Sequence, residues 1–208
     1  MRNLFSFTPA LVTMATLIFA CNQNTAHTQA GALSDTMTQT HLRNATPDTP
    51  LDSLLKPYGE KQAQIWLYID KSERILQVKI DTEIIKTYPV VLGGNPTGDK
   101  RMEGDQKTPE GVFQLRNLYP HARWSKFMWV DYPTAESWEK YNQAKEDGTI
   151  PKDASIGGEI GIHGVPEGMD ALIDEGQDWT LGCISLKNAH IDELYAVCKK
   201  GTKIEIVP

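Results

Sequence analysis

The sequence predicts a mainly β domain with short helices, an α+β fold of the sandwich or barrel type, behind an N-terminal region that does not share its core. Three observations carry that prediction. Apolar residues alternate at 65/67/69 and again at 76/78/80, the period of a half-buried strand. Short β-branched runs then recur between turns rich in Gly and Pro. One amphipathic stretch, after residue 188, leads into a last alternating run.

Taken in order, Ile65 to Ile69 and Leu76 to Ile80 form paired strands, with Asp70-Lys71-Ser72-Glu73 as the turn between them. Ile84-Ile85 and Tyr88 to Leu92 extend the sheet, and Gly93 to Gly98 reads as a loop by composition. Val112 to Leu115 follows the turn-like Thr108-Pro109-Glu110-Gly111. Between Tyr119 and Tyr141 lies a dense run of aromatic residues, read either as a small satellite core or as a wall over a groove; residues 134–147 look helical. Glu159 to His163 and Cys183 to Leu186 are short strands. Asn188 is the expected N-cap of a helix that places Ile191, Leu194, Tyr195 and Cys198 on one face. Gly201 is expected to end that helix, and Lys203 to Val207 is the closing strand.

The 208 residues leave room for one sizeable domain plus extras. Net charge is −6 with no Lys/Arg cluster, which argues against a nucleic-acid partner. Three cysteines, at 21, 183 and 198, cannot build a disulfide framework, and no CxxC or HExxH spacing suggests a metal; no cofactor is expected. Residues 1–20 read as a signal peptide: Arg2, an apolar stretch, then Ile18-Phe19-Ala20 directly before Cys21. That ending resembles a lipobox, with Cys21 as the lipidated first residue of the mature chain. Phe19 is bulkier than the small residue usual at its place. The expectation is an exported, periplasmic lipoprotein anchored in a membrane, the outer one if the cell is Gram-negative, since Asn22 rather than Asp follows the cysteine. Residues 21–58 are expected to be a flexible tether and residues 59–208 the folded domain. A linker of roughly 30 residues spans about 30 Å, enough to carry the domain toward the cell wall.

Two residues suggest chemistry: His163 in IGIHG and Cys183 in DWTLGCISL. A free thiol has a pKa of about 8.5 and needs a base to attack near neutral pH; an adjacent imidazole supplies one, and an ion pair with it can lower the thiol pKa. Gly164 and Gly182 leave both side chains approachable, and backbone amides at a Gly-Cys turn are natural oxyanion donors. Residue types alone leave two readings open: an acyl-transfer pair, or an inert core cysteine beside a structural histidine.

Longer motifs separate them. The chain carries, in order, Leu92-Gly93-Gly94-Asn95-Pro96-Thr97-Gly98, Gly104-Asp105-Gln106-Lys107-Thr108-Pro109-Glu110-Gly111, Tyr132-Pro133, Ile162-His163-Gly164 and Thr180-Leu181-Gly182-Cys183-Ile184, with sixteen residues between His163 and Thr180. From about Gln64 to Val207 it resembles the L,D-transpeptidase (YkuD-like) catalytic domain. The resemblance implies a YkuD-like β-sandwich or barrel and a cysteine-dependent acyltransferase without metal or organic cofactor. It implies Cys183 as nucleophile, His163 as its base, the Gly164 carbonyl holding the imidazole tautomer, and amides of Leu181, Gly182 and Cys183 as the oxyanion hole. The implied substrate is a peptidoglycan tetrapeptide stem, cut between its diamino acid and D-alanine through a thioester that an amine resolves.

Two positions depart from the family signature: Leu181 stands where a second histidine is common, and Ser185 where a polar or basic residue is frequent. Thr180, Leu181 and Ser185 are expected along the substrate. Asp178 and Trp179 either replace the missing contacts or serve to cap a loop and to pack. Lys107 or Arg101 is a candidate partner for a stem carboxylate. Alternatives are a thiol hydrolase on the same fold, as carboxypeptidase, amidase or endopeptidase, and a wall-binding lipoprotein without catalysis.

Overall fold

The computed structural model describes residues 48–208. The expected signal peptide, Cys21 with its lipobox-like surroundings, and the expected tether up to residue 47 lie outside the described residues.

Folded structure starts earlier than the expected boundary at residue 59. Helix α1 (Leu51–Leu55) buries Leu51 and Leu55 completely against the main core, because the two leucines lie four residues apart on one helical face. A 3₁₀ segment (Lys56–Gln64) leads from it into the sheet. Strand β1 (Trp66–Asp70) turns into β2 (Ile75–Ile80) in an antiparallel pair, and their alternating burial sends Leu67, Ile69, Leu76, Val78 and Ile80 inward. Strand β3 (Glu83–Pro89) continues the meander after a register shift at Val78/Lys79.

Strand β4 (Gly111–His121) is the longest, and it joins two halves of the sheet. Its first residues pair with β8 (Lys203–Val207); beyond a bulge at Leu115/Asn117 it pairs with β5 (Ser125–Val130). Helix α2 (Ala135–Glu146) starts at Thr134, whose side chain accepts from the Ser137 amide. Strand β6 (Gly161–His163), a short helix α3 (Ala171–Asp174), β7 (Ile184–Ser185) and helix α4 (Asn188–Val197) follow. The strand order is β3-β2-β1-β8-β4-β5-β6-β7, with β1–β8 and β6–β7 parallel. A bridge between Val91 and Ser185, with both amide hydrogen bonds made, links the chain leaving β3 to β7, so the mostly antiparallel sheet curls back on itself.

Three local expectations need correction. Lys187, not Asn188, is the N-cap of α4, and Asn188 is already helical. Helix α4 ends at Val197, while Gly201, at a φ of 87°, turns the chain into β8. The aromatic run is neither wholly satellite core nor wholly wall. Tyr132 and Tyr141 join the main core, Trp138 is 45% exposed, and the rings before them line a cavity described below.

Candidate active site

The site lies where the short strands β6 and β7 run side by side, with Ile162 opposite Ile184 and His163 opposite Ser185. His163 is the last residue of β6, all of whose residues are buried; its own exposure is 1%. Its ring stacks on Trp124, with centroids 4.4 Å apart, and lies nearly parallel to Phe127 at 5.9 Å. Trp179 meets it edge-on at 5.7 Å. His163 Nδ1 is 2.7 Å from the Gly164 carbonyl oxygen. A carbonyl can only accept, so Nδ1 carries the proton and Nε2 of the neutral ring keeps a free lone pair. Burial pushes the imidazole pKa down to about 4, against the opposing pull of the Gly164 carbonyl, with His121 lowering it further.

Ser185, fully buried, donates from its hydroxyl to that same Gly164 oxygen at 3.3 Å. The carbonyl is thus held from two sides. Gly164 has no room for a side chain: a Cβ there would meet Asn188 Oδ1 at 2.1 Å and the Trp124 carbonyl oxygen at 2.7 Å.

Cys183 is partly exposed just before β7, and its thiol donates to the Glu159 carbonyl oxygen at 3.6 Å. Burial pushes the thiol up to about 11, against the Gly161 amide and the Lys100 ammonium; the Glu159 charge adds to the rise. The ion pair allowed by the sequence is therefore not the resting state. With the imidazole pushed down and the thiol pushed up, burial favours the neutral form of both groups.

The turn before the cysteine is fixed by Thr180, whose hydroxyl donates to the Cys183 carbonyl at 2.7 Å and accepts from the Gly182 amide at 3.1 Å. Gly182 sits at a φ of 133°, and a Cβ on it would lie 2.6 Å from the Lys107 carbonyl oxygen. Of the three amides expected as oxyanion donors, that of Gly182 is taken by Thr180. Those of Leu181 and Cys183 have no protein acceptor among the described residues. Leu181 stands 76% exposed at the rim.

Two cavities meet at the thiol. The larger, about 730 Å³, is bordered by Lys100, Gln106, Trp179, Thr180 and Leu181, and reaches both His163 and Cys183. The smaller, about 270 Å³, is walled by the rings of Tyr119, Trp124, Phe127 and Trp129. Asp178 and Ser185, expected along the substrate, instead stand behind these walls. Asp178 pairs with Arg74 at 2.5 Å and accepts from the Leu92 amide at 2.8 Å, tying the start of the cysteine loop to the chain beyond β3. Trp179 borders the cavity and also packs on the small cluster of Val91, Val165 and Ile173.

The cation at the larger cavity is not the one expected. Arg101 lies beside Asp99, bordering a different depression, and Lys107 does not line the site. Lys100 does, with its side chain 3% exposed and its ammonium on Asp105 at 2.8 Å and the Met102 carbonyl at 3.0 Å. Burial alone would raise the Asp105 pKa, but the Lys100 bond and three backbone amides bring it below its ordinary value. On the far side of this segment, buried Lys71 bonds the Gly98 and Thr108 carbonyls and Glu110, pinning the 93–98 loop to the Thr-Pro-Glu-Gly turn. The sequence reading missed Lys100, Trp124 with Phe127, and Glu159. Only the aromatic density gave a signal. Among the described residues no group of three or more His, Cys, Asp or Glu could hold a metal ion.

This fold and site define an L,D-transpeptidase catalytic domain: the sequence pattern of that family, YkuD, matches residues 64–206, and the chain belongs to it. The Escherichia coli (strain K12) protein named "Putative L,D-transpeptidase YafK" is 25% identical over 162 residues, covering 74% of this chain and 54% of that protein. The helical cell shape determining protein Pgp2 of Campylobacter jejuni has a similar fold, with a TM-score of 0.50 at 23% identity over 75% of this chain and 54% of that one. Bd1075 of Bdellovibrio bacteriovorus aligns with a TM-score of 0.49 at 21% identity, over 69% and 48% of the two chains. The chain spans about half the length of these relatives.

Proposed function

We propose that the domain is a peptidoglycan L,D-transpeptidase working through a thioester on Cys183. The observation that carries this reading is what gathers around one cavity: Cys183, His163 with Nε2 free, and two amides without a protein acceptor among the described residues, with a second cavity also lined by Cys183.

In the first half-reaction the Cys183 sulfur attacks the carbonyl carbon of the diamino acid while His163 Nε2 takes the thiol proton. The amides of Leu181 and Cys183 hold the oxyanion. The proton then passes from the imidazolium to the leaving nitrogen, the C–N bond breaks, and D-alanine departs, leaving a thioester and a neutral imidazole. In the second half a neutral amine attacks the thioester carbonyl, an amide forms as the C–S bond breaks, and the amine's proton passes through His163 to the departing sulfur. The second cavity at the sulfur favours transfer over hydrolysis, since water needs no such space.

Intact-mass analysis of the chain with a disaccharide tetrapeptide tests the proposal. An acyl adduct on the wild type, absent from Cys183→Ala, with D-alanine released, is expected. A folded, reduced protein that forms no adduct and turns nothing over would sink the reading. Product analysis with and without an added amine separates transferase from hydrolase. The N-terminal address belongs to the same proposal: a lipid on Cys21 would hold the enzyme at a membrane within reach of the wall. Incorporation of labelled palmitate that Cys21→Ala abolishes is the expected result.

A further inference from the structure

The β4–β5 hairpin turns through Ala122, Arg123 and Trp124 and is closed by the pair His121 and Ser125. Trp124 serves His163 twice. Its indole is stacked between two imidazoles, 4.4 Å from that of His163 and 4.3 Å from that of His121, with interplanar angles of 22° and 11°. Its carbonyl oxygen accepts from the Gly164 amide at 3.1 Å, so the residue whose carbonyl holds His163 Nδ1 is itself held by the hairpin tip. Local preference does not favour this tip. Ser125 has a φ of 56°, a left-handed backbone that is costly for any residue with a Cβ. The Trp124 Nε1 is buried and, among the described residues, has no hydrogen-bond partner, which is a second cost. Ties from outside the hairpin offset both. One is the Gly164 amide. Another comes from helix α4, where Asp192 Oδ1 accepts from the Ser125 hydroxyl at 2.7 Å and lies 3.0 Å from the Lys126 ammonium. The helix is a firm support, since Ile191 and Leu194 beside this residue are fully buried. Asp192 itself is exposed and lines neither cavity.

An exposed ion pair adds little stability. A short hydrogen bond from a hydroxyl to a carboxylate fixes direction, and here it fixes the residue next to the indole. We infer that Asp192 is a positioning residue for His163: from outside the site it holds the hairpin tip, and the tip keeps the imidazole against Trp124 and the Gly164 carbonyl in place. The consequence for catalysis rests on the acyl-transfer reading. The hold on the ring does not, and it is read without substrate.

The test is an NMR titration of the His163 imidazole in the unacylated chain, its resonances assigned by their loss in His163→Gln. Packed in place, the ring titrates near 4. In Asp192→Ala the freed tip admits water to the ring, and the midpoint should rise by about one pH unit or more toward the ordinary 6.5. Loss of a carboxylate's charge alone would act in the opposite direction, making the ring harder to protonate. The titratable groups about the ring, His121, Cys183 and, around the larger cavity, Lys100, Glu103 and Glu159, are unchanged in this variant. Ser125→Ala added to Asp192→Ala should move the midpoint no further, because the bond between them is already gone. Glu193→Gln is the control: on the same helix it weakens the ties to Lys86 and Tyr88 instead, and should leave the midpoint near that of the wild type. With the tetrapeptide, adduct formation in Asp192→Ala should slow about tenfold at saturating substrate, with the half-saturating concentration unchanged. An unchanged or lower midpoint in Asp192→Ala, an equal rise in Glu193→Gln, a further rise on adding Ser125→Ala, or an undiminished adduct rate overturns the inference. If Cys183 forms no adduct even in the wild type, the acyl-transfer reading fails, and the titration still decides whether Asp192 holds the ring.

Discussion

Strands β1, β2, β3 and β8 on one side of β4, and β5, β6 and β7 on the other, build two different kinds of structure from one sheet. The first side uses strands of five to seven residues, with burial alternating along β1, β2 and β8, and its inward side chains are aliphatic apart from Tyr88 of β3. Ordinary packing holds it. The second side narrows to strands of three and two residues, and two of its buried side chains, His163 and Ser185, are polar. There the backbone is held by specific bonds: Thr180 across its own turn, Asp178 on Leu92, and Ser185 on Gly164. A side that is held by packing tolerates a repacked leucine. A side held by single hydrogen bonds loses geometry whenever one is removed, while the fold as a whole survives.

The largest expected effect comes from crowding the second side. Gly164→Ala would press a methyl group into Asn188 and the Trp124 backbone, where no flexible chain end can yield on the backbone side. Adduct formation should fall at least a hundredfold, and stability by about 3 kcal/mol from overpacking. Leu76→Ala on the first side should cost a similar amount, about 3 kcal/mol, as a cavity effect. Its adduct rate per folded molecule should remain that of the wild type. Thermal melts beside intact-mass rates make the comparison; a loss of rate in Leu76→Ala at full folding would erase the distinction between the sides.

Acid should distinguish them next. The folded-state pKa of His163 is depressed from its ordinary 6.5 to about 4, so the unfolded chain binds this proton more readily. The stabilisation is fully present above pH 6.5 and is lost as pH falls toward 4, about 3 kcal/mol in all. Urea unfolding across that interval should show the slope, and His163→Gln should flatten it. The adduct rate of the wild type should persist well below pH 6.5 and halve near 4. A midpoint near 6.5 would mean that the imidazole titrates as if in water.

The smallest effect isolates one bond. Ser185→Ala removes the second donor to the Gly164 carbonyl and should cost about 1 kcal/mol of stability. If that bond positions the imidazole, the adduct rate falls about tenfold, worth about 1.4 kcal/mol of barrier, with the substrate concentration for half-maximal rate unchanged. A stability loss without a rate loss would make Ser185 a core residue only.

What the sequence disclosed follows the same division. Period-two alternation revealed β1, β2 and β8, because one face of each strand is buried and the other is not. Strand β5 stayed hidden: in Ser125–Val130 two adjacent residues, Phe127 and Met128, are both buried, so the alternation is broken. The second half of β4 is polar and contains Pro120, and reads as loop until its pairing with β5 is seen. Cys183 and His163, which line one cavity, were singled out by their motifs. Lys100 was not, since a buried lysine looks like any surface lysine until Asp105 and the Met102 carbonyl are placed around it. Glu159 was legible only as part of a strand, while its backbone conformation and its place between two cavities are facts of three dimensions. Ser185 was noticed as a departure from a signature, and its partner, a carbonyl one residue past the histidine, has no trace in one dimension.

The position of β8 in the middle of the sheet, bonded to β1 on one side and β4 on the other, bears on the order in which the molecule folds. Residues near 67 and near 205 are neighbours, and no shorter stretch of chain closes the sheet between them. While the chain is still being made, the hairpin of β1 and β2 can form, but the two sides of the sheet stay unjoined until residues 203–207 are available. Contacts so distant along the chain form late. The domain therefore closes only when its last strand is in place.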